Sequence, residues 1–182
     1  LGIIVTVTSP TGLRPNIFIY KSLDVIINVL RSFPFIILIV FIIPLTRAIV
    51  GTPIGETAAI VPLTIAAAPF VARIIESALK EVDPGVIEAA KSFGASNLQI
   101  IFKVMLKEAV PAIISGLTLT IINIIGYSAM AGSVGAGGLG KVAISYGYQR
   151  YQTDVMIVTV IILIIMVQGL QSLGNYLYKK LS

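Results

Sequence analysis

The strongest constraint on this chain is that two long apolar stretches, Ala109–Ala131 and Val155–Leu173, contain no charged residue. A helix needs about 20 mostly apolar residues to cross the roughly 30 Å of bilayer hydrocarbon, and both stretches reach that length. Two further stretches, Ser22–Leu45 and Ala58–Leu79, are as long and carry only a few polar residues. The sequence therefore predicts an all-α fold, a polytopic membrane helix bundle with four complete spanning helices.

Composition agrees with a lipid environment and excludes several kinds of chemistry. Only 12% of the residues are charged, whereas a soluble domain carries about 25% charge. The chain has no cysteine and no histidine, so disulfides, thiol nucleophiles, most zinc sites and the commonest general base are absent. We expect no catalytic residue, no metal and no cofactor. We attribute the net charge of +5 to cytoplasmic loops rather than to a nucleic-acid-binding surface.

Residues 1–7 form an apolar segment that is too short to span a bilayer. No basic stretch precedes it, as one would in a signal peptide. We interpret the segment as the tail of a truncated fifth helix, the first in chain order, whose beginning lies outside this chain. The sequence has no internal repeat, and residues 1–182 are expected to form a single domain.

The basic residues predict the orientation, because lysine and arginine gather in cytoplasmic loops. If the segments cross the membrane alternately, eight basic residues lie on one side and three on the other. The first side then faces the cytoplasm, together with the C-terminus. Arg31 and Arg73 are expected near the cytoplasmic helix ends, where they can reach the interface. The eight are Arg14, Lys21, Lys80, Lys91, Lys103, Lys107, Lys179 and Lys180, and the three are Arg47, Lys141 and Arg150.

The connection at about 83–108 is too polar to span and is patterned as two short helices. Asp83 followed by Pro84 is typical of a helix start, and Gly94 is suited to a left-handed helix end. Ser96 and Gln99 have the spacing of a capping box, which opens the second helix. The two helices either cover the bundle at the interface or dock on a cytoplasmic partner. Their apolar positions are Val86, Ile87, Ala90 and Phe93, then Leu98, Ile101, Phe102 and Met105.

The sequence Glu88-Ala89-Ala90, followed after three residues by Gly94, resembles the EAA loop of ABC importer permeases. The resemblance implies a coupling helix that sits in a groove of an ATPase subunit. Glu88 would pair with a cation or cap the groove, and the small alanines would allow close approach. This chain departs from the family pattern at Lys107, where the family has proline, so the end of the second helix is not predicted.

Residues 132–141 are rich in glycine and contain partial matches to nucleotide-binding motifs. We reject a nucleotide site, because Val142 follows Lys141 where a phosphate loop needs a hydroxyl, and a membrane helix rather than a strand precedes the segment. We predict instead an irregular turn near the outer surface. Ser128 and Gly132 form a small-xxx-small pair suited to tight helix packing.

The stretch 126–140, with residues 31–38, 58–64 and 68–73, resembles the methionine-importer branch of these permeases. The resemblance implies a homodimer in the lipid of a bacterial inner membrane, with two cytoplasmic ATPase subunits and an extracytoplasmic substrate-binding protein. Methionine, as substrate, is implied by this resemblance alone. The permease itself would catalyse no reaction.

Polar groups inside the predicted spans are candidates for function, because they are costly in lipid. Asn123 lies mid-span and either bonds another helix or lines the pathway, and Tyr127, Ser128 and Met130 follow on the outer half. Arg73 and Glu76 have the spacing of an ion pair. An alternative function is an ion-coupled secondary transporter or channel subunit, although no inverted repeat and no buried carboxylate except Glu76 supports it. A membrane enzyme lacks any catalytic constellation here.

Overall fold

The computed structural model describes residues 1–181, with 133 and 134 as backbone only, and it is helical throughout with no strand in that part of the chain. The predicted all-α class is confirmed. Three π-helical segments lie next to the α-helices. The α-helices are α1 (Gly2–Thr8), α2 (Ile17–Ser32), α3 (Phe35–Phe41), α4 (Ile43–Val50), α5 (Glu56–Lys80), α6 (Pro84–Ser92), α7 (Asn97–Gln99), α8 (Leu106–Glu108), α9 (Val110–Ala131), α10 (Gly138–Lys141) and α11 (Thr153–Leu181), and the π-helices are π1 (Ile100–Met105), π2 (Gly132–Ala136) and π3 (Val142–Tyr148).

Three of these helices, α5, α9 and α11, are long and apolar enough to cross a membrane. They match three of the predicted spans, and α11 runs eight residues past the predicted end at Leu173. Pro62 and Pro69 lie inside α5 without ending it. Proline is tolerated in membrane helices because neighbouring groups satisfy the freed carbonyls.

The span predicted over Ser22–Leu45 is not one straight helix. It is a pair, α2 and α3, bent by 103° at the break around Pro34. Proline has no N–H to continue the helix, and its ring drives the preceding residue out of the helical region. Phe33 accordingly has φ −74° and ψ 125°, which ends α2. A second break at Ile42 separates α3 from α4.

Helix α5 lies at the centre of the bundle and contacts α1, α2, α3, α4 and α9. Helix α2 runs antiparallel along its second half, with Tyr20 beside Lys80 and Arg31 beside Phe70. The described buried apolar residues, apart from Ala58, fall into three clusters. The largest lies near residues 81–108, which we call the basic end of the bundle, and contains Ala78, Leu79, Val82, Ile100, Ile101, Met105 and Ala109.

Glycines let α9 approach both of its long neighbours. A Cβ atom at Gly116 would lie 2.3 Å from Cγ2 of Ile74 on α5, and one at Gly174 of α11 would lie 2.3 Å from Oγ1 of Thr118. Both distances are far below a van der Waals contact, so neither position has room for a side chain. Small residues at such crossings replace the hydrophobic driving force that lipid does not provide between helices.

The glycine-rich segment is a compact helical hairpin, not the predicted irregular turn. It folds as π2, α10 and π3 against the end of α9. A Cβ atom at Gly140 would lie 2.2 Å from Cα of Ala129, and one at Gly132 would lie 2.4 Å from the backbone nitrogen of Lys141. Tight packing was predicted for Gly132, and the structure shows that its partner is this hairpin.

Candidate functional site

The connection at the basic end folds as the sequence predicts at its two helix starts. Oδ1 of Asp83 accepts a hydrogen bond from the backbone N–H of Gly85 at 2.6 Å and caps α6. Ser96 and Gln99 form a complete capping box, in which Oε1 of Gln99 accepts from the N–H of Ser96 at 2.8 Å. Between them Gly94 has φ +76°, the left-handed conformation that glycine adopts without strain. These local signals fix the shape of the connection.

The apolar residues of this connection divide into an inner and an outer set, which differs from the predicted faces. Ile87 and Ala90 of α6 pack against the buried cluster at the basic end. Ile101 and Met105 of π1 belong to that cluster. The other predicted apolar positions point outward and form what we call the outward set, which is Val86 (40% exposed), Phe93 (92%), Leu98 (68%) and Phe102 (58%). Phe93 lies one residue beyond α6, which takes it off the packed face.

The second helical stretch of the connection ends at Glu108, and the single residue Ala109 separates it from α9. Segments α7, π1 and α8 lead directly into α9, and backbone hydrogen bonds continue across the join at Ala109. The N–H of Ala109 donates to the carbonyl of Met105 at 3.0 Å, and its own carbonyl accepts from Ile113 at 2.9 Å. Lysine, unlike proline, keeps its backbone N–H and permits this continuity.

The residues of the EAA-like sequence lie on α6 in two environments. Glu88 and Ala89 are exposed, whereas Ala90 is half-buried on the inner side. Glu88 lines a cavity of 260 Å³ between α6 and the connection that follows α1, with Lys80 and Lys91 also in the lining. Within residues 1–181 no cation lies at ion-pair distance from Glu88. Its carboxylate is therefore available to a group outside the chain.

A ladder of polar side chains joins α2 to α5 near the basic end. Arg73 pairs with Asp24, donates a hydrogen bond of 2.9 Å to Oδ1 of Asn28, and pairs with Glu76 at 2.5 Å. The second carboxylate oxygen of Glu76 binds Nζ of Lys80 at 2.6 Å. The predicted pair of Arg73 and Glu76 is confirmed, and two further charges complete it. All of its charges are compensated.

The predicted pathway residues of α9 do not share one environment. The ring of Tyr127 stacks on Phe35 at 4.7 Å and lies 6.4 Å from Phe70, inside the bundle. Asn123 lies four residues earlier and therefore on the same face of the helix. Asn123 and Met130 are exposed in the single chain. Ser128 is exposed as well, but its hydroxyl donates to the carbonyl of Ile125 at 2.7 Å and satisfies its own helix.

Arg31 lies part-way along the bundle from the basic end. Its guanidinium lies over the ring of Phe70, 5.1 Å from the centroid. Phe70 precedes the last residue of α5, Lys80, by ten positions, which is about 15 Å along a helix. An arginine at the centre of a spanning segment costs about 2.5–3.5 kcal/mol on insertion scales, so arginines within such segments are expected to face a bundle interior or a wet cavity rather than lipid.

Comparison with known proteins identifies the family. A family model described as the binding-protein-dependent transport system inner membrane component matches residues 1–182. The chain belongs to this family. Among the relatives of this inner membrane component, a probable D-methionine transport system permease protein of Vibrio cholerae is 54% identical over 180 residues, which are 99% of this chain and 80% of the relative. A methionine import system permease protein of Bacillus subtilis is 46% identical over 168 residues, or 92% and 76% of the two chains.

Solved structures agree with this assignment. A chain from the inward-facing conformations of the MetNI methionine ABC transporter is 46% identical and superposes with a TM-score of 0.97. The match covers 100% of this inner membrane component and 84% of the MetNI chain. A chain of an amino acid ABC transporter with histidines is 22% identical with a TM-score of 0.77, and shares the fold. The resemblance to methionine-type ABC importer permeases is confirmed.

Sequence reasoning missed three features of this inner membrane component. It placed Asp24 and Asn28 in the first span without assigning Arg73 as their partner. It did not separate the outward set from the packed residues of the connection. It also did not pair Arg31 with Phe70 of α5. The spacing of Tyr20, Asp24 and Asn28 at every fourth residue was an available signal, because such residues lie on one face of a helix.

Proposed function

We propose that this chain is the permease subunit of an ATP-driven importer that moves methionine into the cell. It would work as a homodimer with two cytoplasmic ATPase subunits, and an extracytoplasmic binding protein would deliver the amino acid. The permease supplies the passage and performs no bond chemistry. The names of the relatives support the substrate, and membership of the family supports the assembly.

The observation that carries the proposal is the two-sided construction of α6. Its inner side packs on the buried cluster, whereas Phe93 on the outside is 92% exposed and Glu88 has no ion-pair partner within residues 1–181. A large apolar side chain fully exposed beside an unpaired carboxylate is typical of a surface that another protein covers. We propose that Glu88, Ala89, Ala90 and Gly94 form the element that the ATPase grips.

In this proposal ATP binding draws two ATPase subunits together and carries the α6 helices of the two permeases with them. The bundle then changes between an inward-facing and an outward-facing arrangement. ATP drives this change only to the extent that it binds one arrangement better than the other. Asn123, Tyr127, Ser128 and Met130 would line or close the passage, with the flexible thioether of Met130 suited to a closing role.

The proposed orientation in a bacterial inner membrane places the C-terminus and α6 in the cytoplasm. The distribution of eight basic residues against three supports it. The absence of cysteine makes a direct test simple, since one introduced cysteine is the only thiol within residues 1–182 and the labelled band can be read on the purified chain. In intact cells a membrane-impermeant maleimide should label Thr52→Cys, in the exposed connection before α5, and not Lys180→Cys. The reverse pattern would overturn the orientation.

The docking role is tested by co-purification with the ATPase subunit. Gly94→Val should abolish co-purification and ATP-dependent methionine transport, because valine does not adopt φ +76° without strain and the bend would move α6. Gly51→Val is the matched control, since Gly51 has φ +83° and, as at Gly94, an added Cβ atom would meet nothing within 4 Å, but it lies at the other end of the bundle. Retention of the ATPase by Gly94→Val would contradict the docking role.

The second candidate function is ion-coupled transport, which Glu76 alone favours. The two oxygens of its carboxylate bind Arg73 and Lys80, so it is already compensated and is poorly placed to take a coupling ion. The two functions differ in one measurement. Methionine uptake that persists in vesicles without any ATPase would support ion coupling and reject the importer.

A further inference from the structure

Arg31 has hydrogen-bonding capacity that the chain does not use. A guanidinium carries five N–H donors in its plane. The contact with the Phe70 ring, at 5.1 Å from the centroid, uses none of these donors in a hydrogen bond to the chain. Among residues 1–181 no carboxylate and no other acceptor binds Arg31, whereas Arg73 on the neighbouring helix is bonded to Asp24, Asn28 and Glu76. The guanidinium of Arg73 is thus hydrogen-bonded to three side chains, whereas that of Arg31 is bonded to none of the described residues.

The position of Arg31 indicates what kind of ligand its free donors could bind. It lies about 15 Å along α5 from the basic end by helix geometry, and its residue is exposed in the single chain. An intramembrane arginine is expected to face the bundle interior or a water-filled cavity and to mark a substrate pathway. Its preferred ligand is a carboxylate, which matches its planar donor edge with two parallel hydrogen bonds.

Phe70, the ring under Arg31, also lies close to Tyr127 on α9. Phe70 carries the guanidinium on one side and lies 6.4 Å from the ring of Tyr127. Asn123 is on the same face as Tyr127, is exposed, and makes no hydrogen bond through its side chain within the described chain. An amide oxygen accepts from an ammonium group, and an aromatic face attracts one. Contacts through Phe70 thus connect Arg31 on α2 to Tyr127 on α9, and Asn123 lies one helical turn from Tyr127.

We propose that Arg31, Asn123 and Tyr127 form a binding site in the permease for the zwitterionic head of an α-amino acid. Arg31 binds the α-carboxylate, and Asn123 and Tyr127 bind the α-ammonium group. The inference rests on the proposed function as an amino-acid permease and adds to it the residues that recognise the cargo. It assigns the permease a selectivity of its own, for the head group common to amino acids, in addition to that of a delivery protein.

The test is equilibrium binding of radiolabelled methionine to the permease–ATPase complex in nanodiscs, without the binding protein. Competitors are 3-(methylthio)propylamine, which lacks the carboxylate, and 4-(methylthio)butanoate, which lacks the ammonium group. In the wild type both should compete at least about tenfold more weakly than methionine, the factor expected when a charged hydrogen-bond partner is removed. Absence of any methionine binding to the wild-type complex would overturn the proposal.

Single substitutions test which residue binds the carboxylate and which binds the ammonium group. Arg31→Gln should weaken methionine binding about ten- to a hundredfold and make methionine and the amine equivalent, while Arg31→Lys restores part of the difference. Asn123→Leu should reduce the difference between methionine and the butanoate, because only Tyr127 remains for the ammonium group, and should leave the carboxylate preference unchanged. Arg47→Gln, an exposed arginine in α4, is the control and should match the wild type.

The outcomes separate this inference from the function on which it rests. If wild-type proteoliposomes with ATPase and binding protein import methionine, but Arg31→Gln still prefers methionine over the amine as the wild type does, the site is wrong and the function stands. If the wild type imports no methionine, the proposed function itself fails.

Discussion

Replacement of Glu76 by glutamine is the sharpest test of what holds α2 to α5. The Glu76 side chain is only 4% exposed and divides its two oxygens between Arg73 at 2.5 Å and Lys80 at 2.6 Å. Glutamine has nearly the same shape but no charge, and its amide nitrogen cannot accept a hydrogen bond. The substitution therefore removes the shared anion and leaves two cations facing each other.

The magnitude follows from the exposure of the two cations. Removing one partner of a buried ion pair costs about 3–5 kcal/mol. Arg73 is 22% exposed and keeps Asp24, and Lys80 is 43% exposed and reaches water. Solvent therefore compensates part of the loss, and we expect about 2–3 kcal/mol, below the range for a fully buried pair.

The assay is the thermal midpoint of the permease–ATPase complex in detergent, read as the fraction that remains monodisperse in size-exclusion chromatography after heating. A chain of this size loses about 2–4 °C per kcal/mol, so Glu76→Gln should lower the midpoint by about 5–10 °C. Because unfolding of a multi-subunit complex is not two-state, the comparison is between variants and not of absolute free energies.

Glu81→Gln provides the control, since Glu81 is an exposed carboxylate that ends the same helix and joins no ion pair of the described residues. It should shift the midpoint by less than about 2 °C, as exposed charges contribute little. If Glu76→Gln and Glu81→Gln behave alike, the ladder does not stabilise the packing of α2 on α5 and the reasoning from burial is wrong.

Three further outcomes are expected. Gly140→Ala should destabilise the complex by about 1–3 kcal/mol and so lower the same thermal midpoint. The reason is that the added Cβ would lie 2.2 Å from Cα of Ala129, so the backbone must move. Ser96→Ala should cost about 0.5–2 kcal/mol by removing a helix cap, seen as faster amide hydrogen exchange over 96–100 by mass spectrometry. Phe93→Ser should weaken ATPase association in pull-down titrations at least about tenfold, as for a central interface aromatic, whereas Phe18→Ser, 79% exposed on α2, should leave it unchanged.

Local signals made most of the helix boundaries predictable. Asp83, Ser96 and Gly94 act through their own backbone neighbourhood, so their roles are readable from a few adjacent letters. The same holds for the long apolar stretches, whose length alone decides whether they span. The break at Pro34 was readable in part, but prolines at 62 and 69 do not break α5, and only the tertiary setting separates the two cases.

Features that depend on which helices meet were not predictable. The partners of Arg73 on α2 are 45 and 49 positions away, and no local pattern selects them. The depth of Arg31 follows from the register between α2 and α5, which the hydrophobic stripe of a membrane helix leaves open because lipid and protein neighbours are equally apolar. The outward direction of Phe93 depends on where α6 ends, and helix ends are uncertain by a residue or two in any pattern.

The short join from α7 through π1 and α8 to α9, with only Ala109 outside a helix, has a consequence for how the chain can vary. Phe102 and Asn123 lie on helical segments separated by the single residue Ala109, so the angle between the surfaces they present depends on the number of residues between them. One inserted residue would turn one surface relative to the other by about 100°. Length between these two points should thus be as strictly limited as residue identity, while the connections on either side of these segments are free to grow or shrink.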